Sequence, residues 1–282
     1  MNPLDDVRRF AGECSWATGV GPALRNFLEP IWAVIGETAR KESEDLRAKR
    51  KKTKWGRPWV HTVRFALTLN WLLALMSGKG NKPALQRTLD WRVALAPPSI
   101  MVTVDASPWG MGAVLSTTGG IPLAWLAAEV SDLDCGILKV QRGDCRAQAA
   151  LEGLALLIAL REWAPWWESQ RLRAHVRSDS AAALGATEKM ASPAYSMNLL
   201  ARELALDVAW SRYGIELVSY GHVAGPLNSW ADALSRLQAP TERACIPEAL
   251  TAIEPTAVAD RRPAWWLSFA GTRGAVKKAR RA

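Results

Sequence analysis

The chain has 282 residues, of which 49% are hydrophobic and 22% charged, an ordinary globular composition with material for one large or two ordinary domains. Its net charge of +9 and pI of about 9.7 favour a polyanionic partner, nucleic acid before membrane. Four scattered cysteines without a Cys-x-x-Cys pair, and only three histidines, argue against a zinc site and for reduced thiols in an intracellular protein, nucleus and cytoplasm being left open. The opening Met-Asn-Pro-Leu-Asp-Asp lacks the basic and apolar stretches of a secretory signal, and the apolar run Phe65 to Met76 is too short to span a bilayer. The fifteen tryptophans read as core or interface before base-stacking platforms.

In chain order, residues 7–38 predict helix through the spacing of Val7, Phe10, Ala11, Trp16, Leu24, Phe27, Leu28, Ile31 and Trp32, with a break between Gly19 and Pro22. Residues 40–57 hold nine basic and three acidic residues, a solvated helix or linker, with phosphate contact as the sharper alternative. Trp59 to Met76 predicts a second helical region. Ser77 to Pro83 is a loop without the spacing of a phosphate-binding loop, and Pro97-Pro98 marks a domain boundary.

From Ile100 the period changes. Residues 100–106, 111–116 and 121–126 predict three strands, the last two joined by the turn Thr117-Thr118-Gly119-Gly120. Residues 146–163 predict a strong helix ended by Pro165, 171–178 a fourth strand, 180–190 and 195–210 two helices, 215–219 a fifth strand, 221–227 a loop and 228–237 a last helix. The first three strands are antiparallel neighbours and the later two cross over through helices, which gives an α/β fold with a mixed five-stranded sheet flanked by helices. The domains expected are a helical, basic region 1–98, a sheet domain 99–239 and a proline-containing basic tail 240–282 that reads as poorly ordered.

Four carboxylates stand in unusual settings. Asp105 ends an apolar strand, Glu152 interrupts an apolar helix, Asp179 follows the fourth strand, and Asp232 opens the last helix. A carboxylate among apolar residues is costly unless paired or bound to a cation, and four hard oxygen ligands suit magnesium, with manganese as a substitute. Brought together at strand ends they would repel one another, a repulsion that two divalent ions relieve; Asp105, on the innermost strand, is the expected bridge.

The motifs around these residues resemble a known family. The stretch Val102 to Leu115, with Asp105, Ser107, Trp109 and Gly110 in it, is similar to the first hairpin of type I ribonuclease H domains, particularly those of retroelement reverse transcriptases. Arg146 to Glu152 resembles the glutamate-bearing helix, and Arg177-Ser178-Asp179-Ser180 the third acidic motif. The fourth resemblance is His222 to Arg236, with a histidine six residues before Asn228 and ten before Asp232. Each motif alone is weak; four in order on the expected elements are specific. The resemblance covers roughly 100–238. It implies a ribonuclease H-like sheet, hydrolysis of the RNA strand of RNA–DNA hybrids, two magnesium ions held by Asp105, Glu152, Asp179 and Asp232, and proton transfer or product release assisted by His222. It also implies substrate contacts by Ser107, Ser180 and Asn228. Segments 7–16 and 22–32 resemble the part that follows the polymerase palm in reverse transcriptases, so a thumb or connection remnant is expected there and a polymerase domain or subunit is an expected partner. No Tyr-x-Asp-Asp polymerase motif occurs.

One departure from the pattern stands out. About twenty residues, Ala127 to Arg146, separate the third strand from the acidic helix, and they carry Glu129, Asp132, Asp134 and Asp144. Asp144 is the substitute ligand should this insertion displace Glu152. The alternatives are a non-catalytic nucleic-acid-binding module of the same fold, or another nuclease or strand transferase on it.

Overall fold

The structure is a computed structural model that describes residues 2–17, 25–47, 58–66, 68–69, 72, 97–168, 172–210, 215–240 and 243–266. Two compact units divide the chain, Met1–Gln86 and Arg87–Ala282. The break at Gly19–Pro22, the loop Ser77–Pro83, the basic run beyond Arg47 and the tail beyond Trp266 lie outside the described residues. Among the described residues no helix is long and apolar enough to cross a membrane.

In the first unit, α1 (Leu4–Ala17) packs against α2 (Arg25–Arg47) through Leu4, Val7 and Ala11 on one side and Phe27, Leu28, Ile31, Val34 and Ile35 on the other. The helix α2 continues past residue 38 because its charged end is bridged at one-turn spacing by Lys41–Glu37 and Arg40–Glu44. The helix expected from Trp59 begins later. Trp59–Val60 (β2) instead pairs antiparallel with Asn2–Pro3 (β1), and a 3-10 turn, Thr62–Phe65, follows.

The second unit is built on one sheet with the order β5-β4-β3-β6-β7. Its strands are β3 (Ile100–Ala106), β4 (Gly110–Thr117), β5 (Pro122–Glu129), β6 (Leu172–Ser178) and β7 (Ile215–His222). The pairs β3/β4 and β4/β5 are antiparallel, while β3/β6 and β6/β7 are parallel. This is the mixed five-stranded arrangement that the sequence leads one to expect. Between β3 and β4 the Ser107 hydroxyl accepts from the backbone N–H groups of Trp109 and Gly110 and closes the turn.

The helix α4 (Gln148–Glu162) lies between the sheet and two further helices, α6 (Ala181–Lys189) and α7 (Tyr195–Trp210). It is preceded by a 3-10 turn at Cys145–Ala147 and followed by the short α5 (Ala164–Glu168). Every residue from Ala150 to Leu160 is buried, so it is apolar all round rather than along one stripe. On the opposite face of the sheet, α8 (Ser229–Ser235) covers β3, β4 and β5.

Two regions differ from the sequence expectation. The Ala127–Arg146 stretch is not a loop: β5 runs to Glu129, and α3 (Asp132–Leu138) follows, started by a capping box between Ser131 and Asp134. The tail is packed as far as Trp266 rather than poorly ordered. The Trp125 indole donates to the Ile253 carbonyl at 2.8 Å, Trp163 to Thr256 Oγ1 at 2.9 Å, and the Trp266 side chain is fully buried. Arg261 holds the Asp134 carboxylate through Nε and Nη2 at 2.9 and 2.8 Å, with the two residues 7% and 0% exposed. Four prolines suggest disorder when counted alone; anchoring tryptophans and one arginine override them.

Removing one partner of a buried ion pair strands the other charge. Arg261→Ala is therefore expected to lower stability by about 3–5 kcal/mol, whereas Arg261→Met combined with Asp134→Leu recovers most of that loss. Denaturant unfolding of both variants tests this, and equal losses would show that the pair is not the tail's anchor.

Candidate functional site

Asp105 lies near the end of the central strand, 3% exposed, on the face covered by α8. Its Oδ2 accepts from the Ser235 hydroxyl at 2.7 Å, and its Oδ1 from Asn228 Nδ2 at 3.3 Å. That contact requires α8 to come very close to β4. A Cβ at Gly112 would lie 2.3 Å from the Ala231 carbonyl, and one at Gly110 would lie 2.7 Å from that of Ser235. Burial pushes the Asp105 carboxyl up to about 7; the Ser235 hydrogen bond opposes this, Asp179 and Asp232 add to it, and Arg236 relieves part of it.

Glu152 reaches the same region from the opposite side of the sheet, on the second turn of α4, also 3% exposed. The Ser178 hydroxyl donates to its Oε2. Burial pushes this carboxyl up to about 8, against the pull of the Ser178 hydrogen bond, and the neighbouring charges of Asp179 and Asp105 raise it further. Gln148, one turn earlier, anchors the start of α4 by donating to the Ala106 carbonyl at 2.8 Å.

Asp179 follows β6, and its Oδ1 is buried without a hydrogen-bond partner. Asp232, on the first turn of α8, is turned outward onto Arg236 at 2.7 Å. The mutual electrostatic influence of Asp105 with Asp179 and Asp232, and of Glu152 with Asp179 and Asp105, places all four carboxylates in one neighbourhood. Asp144 is not there: it caps the turn before α4 and pairs with Arg146, so the insertion leaves Glu152 in place.

His222 is on a strand rather than in a loop, because β7 extends to pair it with Ser178. It is exposed, with its Nε2 at 2.9 Å from the Asp179 carbonyl oxygen, at the edge of the carboxylate group. The three expected substrate contacts fare differently. Ser107 is 7% exposed and its hydroxyl is spent on the β3–β4 turn and on the Ser235 carbonyl at 2.8 Å, so the structure gives it a folding role. Ser180 caps α6 by accepting from the Ala183 N–H at 3.2 Å and stays half-exposed. Asn228 is buried and orients Asp105, with its amide also donating to the Val104 carbonyl at 3.1 Å; its Oδ1 is buried without a partner. Sequence reasoning missed Ser178 and Ser235, the two hydroxyls that hold Glu152 and Asp105. Their only sequence signal is adjacency to the acidic motifs.

The donor set suits a hard divalent cation. It offers four carboxylates, two of them driven towards protonation by burial and by one another, and unpartnered buried oxygens on Asp179 and Asn228. As the side chains stand, no three His, Cys, Asp or Glu residues among those described form a ready metal-holding cluster. Asp232 is turned onto Arg236 and would have to rotate.

No protein-family profile matches the chain, and no curated protein gives a significant match. Among solved structures, a selenomethionine-labelled CSH mutant of prototype foamy virus protease-reverse transcriptase is similar at 12% identity and a TM-score of 0.30, over 78% of this chain and 24% of that one. The foamy viral protease-reverse transcriptase in complex with dsDNA is similar at 14% identity and a TM-score of 0.26, over 74% of this chain and 40% of that one. This chain thus spans less than half the length of either, and a likeness at these scores assigns no function.

Two outcomes are expected. Gly112→Ala should destabilise the protein by about 1–3 kcal/mol, because the new methyl meets backbone that cannot move aside without lifting α8; an unchanged melting temperature would contradict the close approach. The second concerns pH. Both buried carboxyls have folded pKa values above their unfolded ones, so the stability they confer is full below pH 4 and is lost as pH rises through about 7 for Asp105 and about 8 for Glu152. In EDTA, the melting temperature should fall on going from pH 5 to 8.5, by about 5 °C more than in the Asp105→Asn, Glu152→Gln double variant. Parallel profiles for the two proteins would contradict protonation of these groups in the folded state.

Proposed function

We propose that the second unit is a divalent-metal-dependent nuclease that hydrolyses the RNA strand of RNA–DNA hybrids. The observation that carries this reading is the convergence of Asp105, Glu152, Asp179 and Asp232 at one end of a β5-β4-β3-β6-β7 sheet, with two of them held buried by dedicated hydroxyls. Evenly charged surface carboxylates need no such support; carboxylates awaiting a cation do.

On this reading the four carboxylates hold two magnesium ions, or manganese in their place. Bound divalent ions supply water activation and stabilisation of the departing oxygen of a phosphodiester. The chain's own residues do the positioning. Asn228 and Ser235 fix both oxygens of Asp105, which would hold metal with the other carboxylates, and Ser178 fixes Glu152. Arg236 pairs with Asp232 and offsets its charge. His222, once released from the Asp179 carbonyl, carries a proton to or from the reacting edge or eases product departure. Selectivity for the hybrid rests on hydrogen bonds to 2′-hydroxyl groups, and sequence preference is weak because phosphate and sugar contacts carry no base information. The first unit is a remnant of a reverse-transcriptase thumb or connection, and a polymerase domain or subunit is its natural partner.

The test is cleavage of a labelled RNA–DNA hybrid in magnesium. Cleavage of the RNA strand should be abolished by EDTA and reduced at least about a hundredfold by Asp105→Asn or Glu152→Gln. Ser235→Ala, which removes only the support of Asp105, should lower the rate about tenfold and raise the magnesium concentration required. Binding of the hybrid without any cleavage, in magnesium and in manganese, would instead favour a non-catalytic module, the reading that the outward-turned Asp232 supports.

A further inference from the structure

Among the described residues of the second unit, the face of the sheet that carries Asp105 is only half covered. On it α8 spreads over β3, β4 and β5, whereas the substantial helix contacts of β6 and β7 are with α6, whose Ala183, Leu184 and Ala186 pack in the core with Ala174 and Val176 on the other face. Along β6, Arg173, His175 and Arg177 are half-exposed and alternate with the buried Ala174, Val176 and Ser178. The three side chains therefore form a row on the open face, and the row leads directly to Asp179.

The cations of this row are not committed to carboxylates among the described side chains. Arg177 Nη1 reaches only the Met101 sulfur, at 3.3 Å, and Arg173 Nε is buried with no hydrogen-bond partner. In the register with β7, Arg177, nearer the carboxylates, stands opposite Gly221, which carries no charge. Neutral polar groups flank them. His175 Nδ1 meets Ser219 Oγ at 2.7 Å, and its ring lies flat along the bare backbone of Gly221, where a Cβ would come within 2.7 Å of Nε2. Guanidinium groups set in line on an open face, beside hydroxyl and imidazole groups, match a phosphodiester strand better than an apolar or cationic partner.

We propose that the β6–β7 face is a backbone track for nucleic acid, with Arg173 and Arg177, about 13 Å apart along β6, on separate, non-adjacent phosphates and His175 and Ser219 as neutral hydrogen-bonding neighbours, delivering a strand to the carboxylate end of the sheet. The choice of a hybrid as occupant rests on the nuclease reading; the track itself rests on the charge and exposure of β6.

The deciding measurement is equilibrium binding of a fluorescent RNA–DNA hybrid to the full chain in EDTA, over a range of salt concentrations. Each phosphate contact contributes about 0.9 to the slope of log affinity against log salt, so Arg173→Gln with Arg177→Gln should flatten that slope by about 2, and Arg→Lys at both positions should retain it. Arg262→Gln, which removes a charge that is 80% exposed at a distant point of the chain, should leave the slope unaltered. Should the double glutamine variant fail to fold, Arg177→Gln alone, with a change of about 1, decides the matter. An unchanged slope in the glutamine variants, or an equal change in Arg262→Gln, would overturn the track. A chain that cleaves hybrid while its double variant keeps the full slope refutes the track and leaves the nuclease standing; one that binds through Arg173 and Arg177 yet never cleaves does the reverse.

Discussion

The approach of α8 to β4 over the bare backbones of Gly110 and Gly112 sets the depth at which Asp105 lies. With any side chain at either position the helix would stand off, and Ser235 and Asn228 would lose their reach to the carboxylate. The same seating puts Ser107 against the Ser235 carbonyl, so the β3–β4 turn and the last helix are fixed by one shared contact. From this follows the chemical character of the site: a central carboxyl dry enough to hold a proton near neutrality, beside two others, Asp179 and Asp232, that discourage its ionisation.

The sheet's two faces contribute unlike things. From one side α8 brings Asp232 and the supports of Asp105; from the other α4 brings Glu152 out of a wholly apolar environment. The helix that carries Glu152 cannot shift without disturbing both the sheet and α7, where Arg161 of α4 is locked at 2.8 Å to Glu203 and at 2.7 Å to Asp207. Rigidity is therefore concentrated in Glu152 and Asp105, while Asp232 and His222 sit at the exposed rim where rotation is cheap.

Much of this could be read from the residues in order. Alternation in 100–106 and the turn residues after Thr117 foretold the hairpins, and a lone glutamate in the run Ala149 to Leu160 foretold a buried acid, because burial imposes period and composition directly on sequence. What could not be read depends on contacts between distant residues. Whether Asp144 or Glu152 serves the site turns on a capping hydrogen bond to Arg146, and Ser131–Asp134 starts a helix in what reads as a loop. His222 looks like a loop residue until β7 is paired with β6, and the turn role of Ser107 shows only when Ser235 is beside it. The packing of residues 243–266 is illegible for the same reason: proline content is local, whereas Arg261 finds Asp134 127 residues away and the Ile253 carbonyl finds Trp125 128 residues away.

The pairing of Asp134 with Arg261 joins residues separated by 127 positions, and Trp266 completes a core whose first strand begins at Ile100. During synthesis, then, the hairpins β3–β5 can form early, but the crossovers to β6 and β7 must wait, and the core stays open at one end until the segment around Trp266 has cleared the ribosome. Such late closure, dominated by non-local contacts, makes for slow folding and for a lengthy interval in which the apolar α4 is incompletely covered. A nascent chain of this protein would therefore leave α4 partly uncovered until the residues around Trp266 arrive.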